Sequence, residues 1–182
     1  MWPLGHAAVA YLCYTALSRA RGGPPGGGAA VVLLVGSQVP DLVDKPLAWY
    51  LGVLPTGRTL AHSFVVIGPL VVAVSLLAAR YSRPEYGVAF GVGAVSHVLV
   101  DALPALWGGT DPGFLLWPLI PVEPYDNGAP TVTALFVESL GDPYFLSEFV
   151  LAALALVVWR QDGYPGLGVI RQVGRRWLPA GG

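Results

Sequence analysis

A chain of 182 residues that is 54% hydrophobic and only 12% charged, with a mean hydropathy of +0.62, does not read as an ordinary soluble domain but as an integral membrane protein. Its net charge of −1, and the lack of any basic stripe beyond the short tail with Arg171, Arg175 and Arg176, exclude a nucleic-acid partner and leave the lipid bilayer as the expected one. Cys13 is the single cysteine, so neither an intramolecular disulfide nor a thiolate metal site can form, and any metal must be held by histidine and carboxylate.

The chain begins Met1-Trp2-Pro3-Leu4 with no basic segment and no small-residue cleavage site, so the first apolar run is expected to be retained. Residues 3–18 predict the first helix, and the Gly/Pro-rich stretch 19–28 ends it. Residues 29–43 predict a second helix of only about 22 Å, which must tilt, continue through 47–54 or re-enter the bilayer. Residues 61–79 and 86–106 predict the third and fourth, joined by the tight connection 80–85, where Pro84 suits a helix start. The stretch 107–143 is rich in Gly, Pro and Asp. Its apolar segment 114–120 is too short to span, so a re-entrant or interfacial loop is expected. Residues 144–159 predict the fifth helix. The expected fold is therefore all-α: a polytopic integral membrane helix bundle of about five transmembrane segments (residues 1–160), followed by a basic cytoplasmic tail (161–182) suited to the membrane surface.

If the five runs cross alternately, Arg19, Arg21, Arg80, Arg83, Arg160, Arg171, Arg175 and Arg176 share one side, and only Lys45 and Arg58 fall on the other. The positive-inside rule makes the first side cytoplasmic, with the N-terminus out and the C-terminus in. The same alternation carries His6, Asp41, Asp44, His62, His97 and Asp101 toward the outer side. Ionisable groups inside apolar segments are costly, so a shared interior site is the expected resolution. His97 and Asp101 are four apart and project from one helical face, with Gly93 one turn before them. Gly87 and Gly91, also four apart, allow another helix to approach closely.

Imidazoles and carboxylates form a donor set for zinc, with manganese or iron as alternatives. The predicted metal ligands are His6, Asp41, His62, His97 and Asp101. Asp44 is either a further ligand or a general base, or part of a local turn with Lys45 and Pro46. Arg58, four residues before His62, offers a bidentate fork for a substrate phosphate or carboxylate, and Ser63 is placed to orient His62. Glu148, within the fifth run, reads as a hydrogen-bonded rather than catalytic carboxylate.

Gly5-His6, Gly36-Ser37-Gln38-Val39-Pro40-Asp41, Arg58 to His62-Ser63, His97-Val98-Leu99-Val100-Asp101 and Leu115-Leu116-Trp117-Pro118-Leu119 together resemble the membrane-bound metal-dependent hydrolases of the YdjM-like type. The resemblance spans most of the chain through the fourth helix. It departs at Val43, where the pattern has a second aspartate that here falls one residue later at Asp44, and at Gly57 and Ala61, where the pattern has histidine and threonine. The resemblance implies a membrane-embedded hydrolase acting through a metal-activated water on an ester or phosphoester, with a lipid as candidate substrate. The competing expectations are an ion or metal/proton transporter using the same His/Asp cluster, and a scaffold whose polar residues only join helices.

Overall fold

A prolyl ring fixes φ and lacks an N–H, which does no harm at the first position of a helix. Pro3, Pro84 and Pro143 each open one. The computed structural model describes residues 2–125 and 131–177. Among them are seven α-helices and no strand: α1 (Pro3–Ala20), α2 (Gly27–Trp49), α3 (Phe64–Arg80), α4 (Pro84–Ala102), α5 (Val132–Ser139), α6 (Pro143–Gln161) and α7 (Leu167–Trp177). Two 3-10 turns, Leu103–Trp107 and Pro112–Leu116, follow α4.

Several expected boundaries are corrected. The second helix does not stop at residue 43 but takes the continuation that the sequence offered, running past Pro46 as far as Trp49. At 23 residues it is about 34 Å long and needs nothing further to cross a bilayer. The third starts at Phe64 rather than 61, because Ser63 caps it by accepting a hydrogen bond from the Val65 N–H. The fourth ends at Ala102, and Pro104 lies in the tighter turn that follows. The stretch 107–143 contains the helix α5, and the tail contains α7. Residues 126–130 of that stretch and 178–182 of that tail lie outside the described residues.

Alanines such as Ala10, Ala89 and Ala94 share the interior with Leu33, Ile67 and Phe114, yet many large apolar side chains face outward: Leu42 is 68% exposed and Val150 72% exposed. His6, Asp44, His62, His97, Asp101 and Glu148 are buried. Large apolar side chains facing outward, with small and polar ones facing in, are what a hydrocarbon solvent selects. Gly27–Trp49, Pro84–Trp107 and Pro143–Gln161 are long and apolar enough to cross a membrane, and α3 is apolar but shorter, at 17 residues.

Contacts fix the helix directions. Gly28 meets Tyr86 and Gly93 meets Ser37, so α2 and α4 run the same way. Gly87 lies against Ser75 and Gly91 against Val71, which makes α3 and α4 an antiparallel hairpin and places both glycines where the sequence expected close approach. Tyr14 donates to the Glu85 carbonyl while His6 lies beside Asp101, so α1 opposes α4. Arg19, Arg21, Arg80, Arg83 and Arg160 consequently gather at one end of the bundle, opposite Asp41, His97 and Asp101.

The tightest contact is the α2–α4 crossing. A Cβ on Gly93 would sit 2.5 Å from the Leu33 carbonyl oxygen, and one on Gly36 would sit 2.6 Å from that of Phe90. Gly68, by contrast, faces open space. We expect Gly93→Ala to lower stability by about 1–3 kcal/mol, measured by unfolding in detergent, with Gly68→Ala close to wild type.

Candidate metal centre

Asp44 sits on α2 with its carboxylate fully buried, and it organises the chain that follows. It accepts hydrogen bonds from the N–H groups of Thr59 (2.8 Å), Ala61 (2.8 Å) and His62 (3.3 Å), and it meets His62 Nδ1 at 2.8 Å. The segment 50–63 is thereby folded back over the end of α2, which delivers His62 to the bundle. Both Asp44 oxygens are occupied in this way. The residue therefore stands behind His62, away from any open position, and it makes no local pair with Lys45. Lys45 instead reaches one turn back to Asp41 Oδ2.

The hydrogen-bond network assigns the imidazole tautomers. His62 Nδ1 faces a carboxylate, and His97 Nδ1 lies 2.6 Å from the Ser37 carbonyl oxygen, which can only accept. Each Nδ1 therefore carries the hydrogen, and in the neutral rings each Nε2 presents a lone pair. A carbonyl oxygen has two lone pairs, so the Ser37 carbonyl can accept from His97 within the helix.

Those two Nε2 atoms lie 3.1 Å apart. Asp41 Oδ1 is 3.6 Å from each, is buried, and has no hydrogen-bond partner among the described residues. Asp101 Oδ2 is 3.6 Å from His62 Nε2. Electron-rich atoms gathered in this way repel one another unless a proton or a metal cation lies between them. The buried group Asp41, His62, His97 and Asp101 could hold a metal ion, with one ligand atom from each and all four within 4.8 Å of one another. The triangle of 3.1, 3.6 and 3.6 Å formed by His62, His97 and Asp41 is close to the edge of about 3.3 Å implied by zinc bonds of about 2.0–2.1 Å. The donor set fits a divalent ion.

His6 and Arg58 converge on Asp101 from opposite sides. His6 Nε2 is 3.3 Å from Oδ1, and Arg58 Nε is 2.7 Å from Oδ2. The His6 ring also stacks on His97, with centroids 3.6 Å apart. His6, expected as a ligand, thus lies beside the four-residue group, against Asp101 and His97. Arg58 is 40% exposed and spans from the buried carboxylate to the surface. Ser63 does not orient His62; it caps α3 and donates to the carbonyls of Leu115 and Trp117, tying down the turn after α4.

Sequence reasoning read Glu148 as a hydrogen-bonded carboxylate without naming its partners, and it missed the Ser37 carbonyl altogether. Glu148 accepts from the N–H groups of Trp2 (3.2 Å) and Gly5 (2.9 Å), so a carboxylate on α6 closes the N-terminus of α1 and sets the position of His6. Its presence in an apolar run was the available signal, since such a carboxylate needs partners. The Ser37 carbonyl carries no side-chain signature and could not have been found from residue types.

Bundle and site together define a helical membrane protein with a buried candidate metal centre near one end. The chain belongs to the YdjM inner membrane protein family, whose pattern it matches over residues 1–165. No curated protein and no solved structure matches it.

Asp44→Asn would turn an amide NH2 toward backbone N–H donors. We expect a loss of about 1–3 kcal/mol in unfolding measurements, with earlier proteolysis within 50–63, while Glu123→Gln at an exposed position changes neither.

Proposed function

We propose that this chain is a membrane-embedded, metal-dependent hydrolase of an ester or phosphoester. The observation that carries the reading is the convergence, in a buried site, of two imidazole lone pairs on Asp41 Oδ1, which has no hydrogen-bond partner among the described residues. His62, His97 and Asp41 hold the ion, for which zinc is the preferred candidate, with manganese and iron as alternatives. A bound divalent ion would polarise a carbonyl or phosphoryl oxygen and lower the pKa of a water toward about 7. Asp101, the fourth donor, takes the proton from the attacking water, with His6 holding its far oxygen. Arg58 commits its Nε to Asp101, which leaves its terminal nitrogens to hold an anionic oxygen of the substrate.

In this reading five helices (α1, α2, α3, α4 and α6) cross the bilayer, with the arginine-rich end cytoplasmic and the site extracytoplasmic. The turns 103–120, with Leu106, Trp107 and Leu119 exposed, form the interfacial or re-entrant element beside the site. That element and the exposed Arg58 favour a substrate that partitions into the outer leaflet, with a lipid the leading candidate.

Metal analysis of purified protein should find about one equivalent of divalent ion, lost in Asp41→Ala and in His97→Ala. Asp101→Asn should keep the metal and lose hydrolysis by a factor of about 10² or more. Full metal retention in both alanine variants would sink the ligand assignment. Metal flux through proteoliposomes, abolished by His62→Ala, would assign the cluster to transport instead.

A further inference from the structure

Between α1, α2 and α6 an apolar groove of about 510 Å³, a size typical of small-molecule sites, runs along the bundle from Leu4 near the metal-centre end to α7 at the arginine-rich end. Its walls include Leu4 and Ala8 of α1, Leu34 of α2 and Ala153 of α6, and its floor is closed by Leu167 and Ile170 at the start of α7. Only two lining residues carry a polar side-chain group, and both groups are engaged internally. The Tyr11 hydroxyl donates to Asp162 at 2.7 Å, and the Trp159 indole N–H donates to the Pro165 carbonyl at 3.0 Å. The groove therefore offers nothing to a polar ligand, and water inside it would lack partners.

The floor has a second character. In α7, Leu167, Ile170 and Val173 share one side of the helix, while Arg171, Gln172 and Arg175 occupy the other. Arg171, Arg175, Gln172 and Gly168 line a concave surface next to the groove. Neither arginine has an ion-pair partner among the described residues, and Asp162, the nearest acidic residue in sequence, is already held by Arg19 at 2.7 Å. The close approach of Gly166 to Gly27 on α2 fixes α7 under the groove. A hydrocarbon slot thus opens beside two uncompensated guanidinium groups set one helical turn apart.

We propose that the groove binds one acyl chain of an anionic phospholipid from the leaflet at the arginine-rich end, with the lipid phosphate held by Arg171 and Arg175. The charge complementarity selects an anionic headgroup over a zwitterionic one. This site is separate from the metal centre and depends only on the helices spanning a bilayer. The bound lipid fills the space between α1, α2 and α6 and joins α7 to the bundle.

The test uses the full chain in detergent, incubated with phosphatidylglycerol or phosphatidylcholine of identical chains, with bound lipid counted by native mass spectrometry. Wild type should retain phosphatidylglycerol about tenfold better than phosphatidylcholine, and millimolar inorganic phosphate should not displace it. Arg171→Gln combined with Arg175→Gln should bring the two lipids to parity. Ala153→Phe, at an exposed position on the groove wall, should reduce retention of both, and Leu34→Trp plugs the facing wall should the first variant fold poorly. Parity in wild type, an unchanged preference in the double glutamine variant, undiminished retention in a folded plugged variant, or displacement by phosphate alone would each overturn the proposal.

Discussion

Helices α2 and α4 approach so closely that a methyl group at Gly36 or Gly93 would overlap main-chain atoms of the partner helix. In a hydrocarbon solvent there is little hydrophobic drive to bring helices together, so packing and interhelical hydrogen bonds must do it. The crossing brings the Ser37 carbonyl within reach of His97 Nδ1, and that bond fixes which nitrogen His97 turns to the centre. Asp41, one turn beyond Ser37, and Asp101, one turn beyond His97, then fall on the same side of the contact. The geometry of the site is inherited from two missing side chains.

Asp44 does for the segment 50–63 what the crossing does for the helices. Three backbone N–H groups donate to this buried carboxylate, and those bonds hold the chain that carries Arg58 and His62. Moving an aspartate from position 43 to 44 relative to the family pattern turns it by about 100° on the helix. At 44 it faces that returning chain rather than the four-residue group.

Much of this was legible in the residues. Alternating apolar runs and the distribution of arginines were enough to place the histidines and aspartates near one end of an all-helical bundle, because both signals follow from solvent and charge rather than from detailed packing. The i, i+4 spacing of His97 and Asp101 and the glycines on α4 also read correctly. The extent of α2 did not, since Pro40 and Pro46 weaken a local helix signal that tertiary contacts override. Nor was the placement of His6 legible. Whether His6 faces the four-residue group or stands beside it depends on a turn of α1 that Glu148 fixes from a distant helix, and no local pattern encodes that.

Helix α1 is fastened to α6 at both ends, by Glu148 on the backbone of Trp2 and Gly5, and by Asp162 on Tyr11, Thr15 and Arg19. These partners are 143 to 151 residues apart in sequence. Helix α1 must therefore wait for α6 before its rotation is fixed, a long-range closure of the kind that slows assembly. Residues Asp41 to Asp101 can meet while α6 is still being made, but His6 takes its place against Asp101 only once α6 has docked. A chain broken before α6 would keep the four-residue group while losing the restraint that sets His6 beside it.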